Sequence, residues 1–261
     1  MSQSPPLRTT AESPVALVTG GGRRLGNGIA RELAAHGYRL AVHASGSRVE
    51  AEATARELTS LGTEAIALAA DLRDEAATRR MVAAAHDHFG RIDALVNNAA
   101  VWISKPLERV TADDVRQHFE VNTLGAFLCC QEVGLRMVAQ LSGGAIVNIG
   151  DWAVVRPYRD YAAYFAAKGS TAVLTRSFAV ELGTRNPRVR VNAILPGPVL
   201  LPAEMTAAQR RTVIDTTLVK REGTARDVAQ AILFLFQSTF VTGVCLPVDG
   251  GRSIYAPLPG E

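Results

Sequence analysis

Two side chains with acid–base chemistry, Tyr164 and Lys168, stand four residues apart in the segment YAAYFAAK. On a helix this spacing places both side chains on one face, with the ammonium beside the phenol. A cation within ~4 to 6 Å favours the phenolate, which lowers a tyrosine pKa from about 10 towards the working range of a general acid. Because a Tyr and a Lys at this spacing are also common as a surface pair, other segments must decide between these interpretations.

A glycine-rich segment, VTGGGRRLG, has the composition of a phosphate-binding turn. The three glycines that begin at Gly20 can take positive φ angles and let backbone N–H groups approach a pyrophosphate. We expect a helix to begin near Leu25 and to present its N-terminus to the same anion. Arg24 is unusual here, because a charged side chain occupies a turn that usually saves space with glycine.

The segment VHASGSR, which follows the second predicted strand, contains no acid, and none occurs before Glu50. A protein that binds NAD typically places Asp or Glu at this point, on the adenosine ribose. Arginines and serines suit the 2′-phosphate of NADP(H) instead, although solvated surface arginines are the alternative, for Arg48 above all. The candidate phosphate ligands are Arg23, Arg24, Arg48, Ser45 and Ser47.

Seven short apolar runs alternate with amphipathic stretches along the chain. This alternation predicts an α/β protein, a Rossmann-type doubly wound parallel sheet of about seven strands with helices on both faces. We expect one domain over residues 14–261 after a disordered leader of residues 1–13, with residues 199–222 forming a lid over the substrate. The predicted strands are VALV, YRLAVH, AIALAA, DALVNN, AIVNIG, VRVNAIL and VCLPVD.

Composition and charge argue against several classes of partner. The 28 basic and 25 acidic residues are interspersed, so no block of one sign would follow a nucleic-acid backbone. The sequence lacks an apolar signal segment and any run of ~18 apolar residues, which favours a cytoplasmic protein without a membrane partner. Three cysteines fit small buried side chains in a reducing compartment. His86, Asp87 and His88 diverge on a helix and lack a further ligand, so no metal is expected.

Several motifs together resemble the short-chain dehydrogenase/reductase family over nearly the whole chain. They are TGGGRRLG, Asp71 with Leu72, the NNAA segment of residues 97–100, Asn122, Tyr164 with Lys168, and Pro196 with Gly197, in order at successive strand ends. The resemblance implies a Rossmann-type subunit with a nicotinamide cofactor and a small-molecule substrate. It also implies a homotetramer.

The resemblance assigns roles residue by residue. It makes Tyr164 the proton donor, while Lys168 lowers the pKa of that tyrosine and holds the nicotinamide ribose, and Asn122 helps to anchor a proton-relay water. Asp71 and Leu72 would contact adenine, and Asn98 and Ala99 would line the ribose. The predicted cofactor ligands also include Gly20, Arg23, Arg24, Leu25, His43, Ser45, Ser47, Pro196, Gly197 and Val199.

The chain departs from the common family pattern at two positions. Arg24 occupies the middle glycine of the turn, and Asp151 occupies the usual serine thirteen residues before Tyr164. Losing a hydroxyl that donates to a developing oxyanion typically costs ~3 kcal/mol, and a carboxylate adds repulsion on the order of 4 kcal/mol at 4 Å for an effective dielectric near 20. An ordinary ketone is therefore a poor substrate on these grounds.

A carboxylate suits a substrate that presents N–H donors, or a C=N bond whose nitrogen needs a proton. Arg24 and Asp151 together resemble the pteridine reductase and dihydromonapterin reductase subgroup. Trp102 would then stack on the pterin, so the predicted substrate ligands are Arg24, Trp102, Asp151 and Tyr164. The leading hypothesis is an NADPH-dependent pterin reductase; the alternatives are a general carbonyl or 3-oxoacyl reductase and a non-catalytic NADP-binding sensor.

Overall fold

All seven predicted strands are present in the computed structural model, which describes residues 9–46 and 48–255. The apolar runs form strands because their alternating side chains are covered on both faces of the sheet. The strands are β1 Val15–Val18, β2 Arg39–Ala44, β3 Ala65–Ala69, β4 Ala94–Asn97, β5 Gly144–Ile149, β6 Val189–Pro196 and β7 Cys245–Val248.

The strands pair in parallel throughout, in the order β3-β2-β1-β4-β5-β6-β7. The chain passes from β3 across the sheet to β4, so the direction of winding reverses between β1 and β4. In such a sheet a crevice opens beyond the carboxyl ends of the strands at the point of reversal. The predicted doubly wound fold is confirmed.

Helices cover both faces of the sheet. None in the described part of the chain has the length and apolar character that a membrane crossing needs. Helices α1, α2 and α8 pack on one face, and α3, α5 and α6 pack on the other. The helices are α1 Arg24–Ala35, α2 Arg48–Ser60, α3 Glu75–Phe89, α4 Ala112–Phe119, α5 Gly125–Ala139, α6 Ala162–Gly183, α7 Ala207–Asp215 and α8 Ala225–Gln237.

Strand β1 shows how the sheet separates two apolar layers. Ala16 and Val18 face the layer of α1 and α8, whereas Val15 and Leu17 face the layer of α3 and α5. All four side chains are fully buried. Cys129 and Cys130 are buried in the second layer, as small apolar side chains would be, whereas Cys245 is partly exposed.

The described part of the predicted leader is tied to the sheet edge, unlike the disordered segment that we expected. The Thr9 hydroxyl accepts the Glu64 backbone N–H at 2.7 Å, and the Thr9 N–H donates to the Gly62 carbonyl at 3.2 Å. The Arg39 side chain also donates to the Ser13 carbonyl at 3.0 Å. These bonds hold residues 9–13 against the sheet; residues 1–8 of the predicted leader lie outside the described residues.

Candidate active site

The turn after β1 is held rigidly by the turn after β4. Gly20 has φ +62°, a left-handed conformation that favours glycine. The Thr19 hydroxyl accepts the backbone N–H groups of Asn98 and Ala99, at 3.0 and 3.1 Å, and the Asn98 side chain donates back to the Thr19 carbonyl. A Cβ on Gly26 would lie 2.0 Å from the Gly20 carbonyl oxygen, so only glycine lets α1 approach this turn.

His43 is fully buried beneath the glycine turn, which corrects its predicted place among the cofactor ligands. Its Nδ1 accepts the Gly20 N–H at 3.3 Å, and its Nε2 lies 3.0 Å from the Ala70 carbonyl. Burial lowers the pKa of His43, although the bond to Ala70 opposes that shift. Both ring nitrogens are therefore used within the protein, and His43 positions the turn without reaching a ligand.

The predicted 2′-phosphate ligands separate into different surroundings. Arg23 is largely exposed at the start of α1, with its Nε 3.9 Å from Glu50. Arg48 pairs with Glu52 at 2.9 Å on the exposed face of α2, as a surface arginine would. Ser45 lies exposed at the end of β2, and Ser47 falls outside the described residues.

Arg24, the first residue of α1, points away from this group. Its backbone has φ +47°, so an arginine occupies a left-handed position that favours glycine. Its guanidinium donates to the Leu200 carbonyl at 2.8 Å and lines a cavity of about 390 Å³, the candidate substrate cavity. In this position the guanidinium lies at the cavity and not beside Arg23 and Arg48; its contacts with a cofactor phosphate and with the substrate stay predictions.

Asp151 and Tyr164 form the centre of the site. Their side chains meet in a 2.7 Å hydrogen bond, with the Tyr164 hydroxyl donating to Asp151 Oδ2. The other carboxylate oxygen, Oδ1, accepts the Ala153 N–H at 2.8 Å, which fixes its orientation after β5. Tyr164 is 5% exposed, and burial together with the Asp151 charge raises the pKa of its phenol. The hydroxyl consequently keeps its proton at neutral pH.

Lys168 lies one turn further along α6, on the same face as Tyr164. Its ammonium donates to the Ile149 carbonyl at 2.7 Å, and the residue is 5% exposed. Burial lowers the pKa of Lys168 to about 8, opposed by the negative charge of Asp151. The sequence led us to expect a lowered pKa for Tyr164 beside Lys168; instead the pKa of Tyr164 is raised, first by burial and then by the Asp151 carboxylate.

Asn122 lies in a short π-helical segment, Glu120–Leu124, between α4 and α5. Its side chain holds the Val101 backbone, accepting the N–H at 2.8 Å and donating to the carbonyl at 3.0 Å. A polar cavity of about 10 Å³ touches both Asn122 and Lys168, which is room for about one water molecule. A proton relay through Asn122 stays a prediction. The bonds of the Asn122 side chain to Val101 position the segment that leads to Trp102.

Trp102 is half exposed and is bound by two tyrosines. Its indole stacks on Tyr161 with centroids 4.9 Å apart and an interplanar angle of 14°, and its Nε1–H donates to the Tyr158 hydroxyl at 3.2 Å. Tyr158 in turn packs edge-on against Phe165. This cluster fixes one flat aromatic face at the rim of the cavity.

Trp102, Asp151, Tyr164 and Arg24 line one cavity of about 390 Å³. The predicted lid forms much of the cavity wall, mainly through the segment before α7. Val199, at the start of that segment, forms a backbone bridge with Gly223. Whether this segment moves stays a prediction. Within the predicted lid, the lining residues are Val199, Leu200, Leu201, Pro202, Met205 and Val213. Outside it, sequence reasoning missed Trp152, Tyr158, Pro198 and Arg252.

The remaining predicted cofactor ligands lie at strand ends, where parallel sheets place their ligands. Asp71 follows β3 and bonds to Arg73, which lowers the pKa of the Asp71 carboxyl, and the neighbouring Leu72 is buried. Pro196 ends β6, and a Cβ on Gly197 would lie 2.5 Å from Asp249 Cα. Leu25, in the first turn of α1, and Val199 both pack against the apolar layer that contains α1.

Comparisons with known proteins agree with this arrangement. The family model described as enoyl-(acyl carrier protein) reductase matches residues 22–253. The chain is 36% identical over 250 residues to a candidate ketoacyl reductase of the granaticin polyketide synthase from Streptomyces violaceoruber, covering 93% of this chain and 97% of that one. It is 34% identical over 242 residues to a 3-oxoacyl-[acyl-carrier-protein] reductase of Staphylococcus epidermidis, covering 90% and 97%.

A solved structure shares the fold closely. The blue fluorescent protein from a metagenomic library, crystallised in complex with NADPH, superposes with a TM-score of 0.83 at 33% identity, covering 92% of this chain and 97% of that one. Sheet order, the Tyr164–Lys168 pair and these relatives define one class of protein. The chain belongs to the short-chain dehydrogenase/reductase family of NAD(P)-dependent oxidoreductases.

Proposed function

We propose that the protein is an NADPH-dependent reductase of a pterin, which transfers hydride to the carbon of a C=N bond and converts a dihydropterin into a tetrahydropterin. One observation carries this proposal: the carboxylate of Asp151 accepts a 2.7 Å hydrogen bond from the Tyr164 hydroxyl inside the substrate cavity. A ketone reductase would benefit from a hydrogen-bond donor at that position.

The carboxylate sets the preference between C=O and C=N. A ketone oxygen gains negative charge during reduction, and Asp151 would oppose it by on the order of 4 kcal/mol at 4 Å for an effective dielectric near 20. In a pterin the nitrogen of the C=N bond is protonated as hydride reaches the carbon, so it keeps no such charge, and the ring also offers amide and amine N–H groups that donate to a carboxylate. The flat indole of Trp102, fixed by Tyr161, suits stacking with a bicyclic heteroaromatic ring.

The residues around the glycine turn fit a nicotinamide dinucleotide. The N-terminus of α1 has no capping side chain and no acid in its first turn, which leaves its N–H groups and positive dipole end for a pyrophosphate. The bound cofactor would supply the hydride. No acid stands between the end of β2 and Glu50, and Arg23 lies exposed nearby, so we favour NADPH over NADH.

The Tyr164–Asp151 pair protonates the substrate nitrogen. The raised pKa of Tyr164 keeps the phenol protonated, and Asp151 orients that proton within the cavity. The proton passes to nitrogen from Tyr164, either directly or through the Asp151 carboxylate that accepts its hydrogen bond, or from a water that Asp151 holds. The Lys168 ammonium, one turn away, then offsets the negative charge left on the pair.

We also propose a homotetramer in the cytoplasm, on the strength of family membership. Several large apolar side chains on α5 and α6 are exposed in the single chain, including Phe127, Val173 and Val180. Subunit contacts would cover such side chains. Light scattering on the purified protein tests the assembly, with an expected mass four times the 27.8 kDa of the chain.

A general carbonyl or 3-oxoacyl reductase is the second candidate. The similar proteins named as ketoacyl and 3-oxoacyl reductases favour it, and on similarity alone it fits better than pterin reduction. The physical argument from Asp151 favours the pterin. The two candidates differ in what replacing Asp151 with a hydroxyl donor should do.

The variant Asp151→Ser separates them, measured as kcat/KM with NADPH on a 7,8-dihydropterin and on a 3-oxoacyl thioester. A C=N reductase loses dihydropterin turnover by about a hundredfold in this variant and gains ketone turnover, since a donor replaces a repelling charge. Asp151→Asn is the matched control, because it removes the charge but keeps the shape. Faster dihydropterin turnover in Asp151→Ser would refute the proposal.

A further inference from the structure

Arg252 lines the substrate cavity from the turn that follows β7. Asp249 fixes this turn: its carboxylate accepts the backbone N–H groups of Gly251 and Ser253, at 2.9 and 2.7 Å. The Arg252 N–H donates to the Asp249 carbonyl at 3.2 Å. The backbone that carries the guanidinium is therefore held in place before any ligand binds.

The guanidinium itself is oriented by Trp152. The central carbon of the Arg252 guanidinium, Cζ, lies 4.6 Å from the centroid of the Trp152 indole, and Trp152 is 8% exposed. Stacking on an aromatic ring leaves the N–H edges of an arginine available for the two parallel hydrogen bonds that carboxylates and phosphates accept. Arg252 is thus a preorganised donor at the cavity wall.

Within residues 9–46 and 48–255, the Arg252 side chain has no hydrogen-bond acceptor and no ion-pair partner. The nearest acids are already in use, because Asp151 accepts from Tyr164 and Ala153, and Asp249 accepts from its own turn. Burial lowers the pKa of Arg252 and the like charge of Arg156 adds to this shift, while Tyr158, Asp151 and Asp249 oppose it. An anion beside Arg252 would relieve both effects.

Among the described residues, the charges that line the cavity are two guanidiniums, Arg24 and Arg252, and one carboxylate, Asp151. Under the proposed function, Asp151 and Arg24 contact the heterocyclic ring of the substrate. We infer that Arg252 binds an anionic substituent of the substrate, a phosphate ester or a carboxylate carried on the heterocycle. The substrate class is then an anionic pterin derivative, and Arg252 determines specificity without taking part in hydride or proton transfer. This inference rests on the proposed function, from which it takes only the heterocyclic ring of the substrate.

The test compares three 7,8-dihydropterins with NADPH: the 6-hydroxymethyl compound, its phosphate ester, and a derivative with a carboxylate side chain. We expect at least a tenfold lower KM for one or both anionic compounds than for the neutral alcohol. Arg252→Gln should raise the KM of the preferred anion about ten- to a hundredfold and leave the KM of the alcohol within about twofold, with kcat unchanged. The ester and the carboxylate distinguish the two sources of negative charge.

Arg159→Gln is the matched control, since Arg159 is an exposed arginine of the same loop region as Tyr158 and does not line the cavity. It should leave all three KM values unchanged. Equal effects of Arg252→Gln on the neutral and anionic compounds, or effects of Arg159→Gln as large as those of Arg252→Gln, would overturn the inference.

Calorimetric titration of NADP⁺-loaded protein separates the two proposals. If the anionic compound binds and Arg252→Gln selectively weakens it while no dihydropterin is reduced, the anion subsite stands and the proposed reaction fails. If all three compounds are reduced with equal KM values, the reaction stands and the subsite fails.

Discussion

Replacing Arg24 with glycine separates the backbone role of this position from its side-chain role. A non-glycine residue at φ +47° costs about 1 to 2 kcal/mol, which glycine recovers. The variant loses the exposed hydrogen bond to the Leu200 carbonyl, worth about 0.5 to 1.5 kcal/mol. Because these changes nearly cancel, we expect the free energy of unfolding to change by less than about 1 kcal/mol.

The catalytic effect of Arg24→Gly should be much larger. A bound ligand that covers the guanidinium would lose a charge-assisted hydrogen bond worth roughly 1.5 to 3 kcal/mol, which is about a ten- to hundredfold fall in kcat/KM for the dihydropterin. Since Arg24 lines the substrate cavity, KM for NADPH should change by less than about threefold.

The assay is steady-state oxidation of NADPH, with the melting temperature as the measure of stability. Arg23→Gln is the control, because Arg23 lies exposed beside Glu50 and should affect KM for NADPH alone. If Arg24→Gly raises KM for NADPH and leaves the dihydropterin unaffected, Arg24 is a phosphate clamp and the substrate role is refuted.

Three further predictions concern Lys168, His43 and Trp102. Because the pKa of Lys168 is lowered to about 8, its ammonium is present below pH 8, so kcat/KM for NADPH should fall as pH rises through about 8; a flat profile from pH 6 to 10 contradicts this role. His43→Phe leaves the Gly20 N–H and the Ala70 carbonyl unpaired and should lower the free energy of unfolding in urea by about 2 to 5 kcal/mol; an unchanged midpoint would contradict it. Trp102→Ala should raise KM for the dihydropterin about tenfold, with Trp102→Phe intermediate and KM for NADPH constant; equal losses on both substrates would exclude stacking.

The sheet could be predicted from the sequence because its signal is local. Each strand is a short apolar run that ends at a polar or glycine-rich turn, and Asn98, Asp151 and Gly197 all follow such runs. Parallel winding then brings these ends together at one edge. Asp151, which follows β5, could therefore be placed at this edge, whereas its hydrogen bond with Tyr164 on α6 is seen only in the structure.

Other features depend on packing that a sequence pattern does not contain. The sequence places His43 near the end of a strand and so predicts a cofactor ligand, yet its ring is buried beneath Gly20. The direction in which the pKa of Tyr164 shifts depends on burial and on the distance to Asp151. The four-residue spacing to Lys168 specifies neither of them. Arg252 lies over a hundred residues from Asp151 in the chain, so only the fold reveals that both line one cavity.

The central claim is that this short-chain reductase acts on C=N in preference to C=O. The most direct measurement is the ratio of kcat/KM for a 7,8-dihydropterin to that for a 3-oxoacyl thioester, with NADPH and the unmodified protein. We expect a ratio above about a hundred, from the repulsion of roughly 4 kcal/mol between Asp151 and a ketone oxygen, reduced by solvent screening. A ratio below one would contradict it and identify carbonyl reduction as the activity.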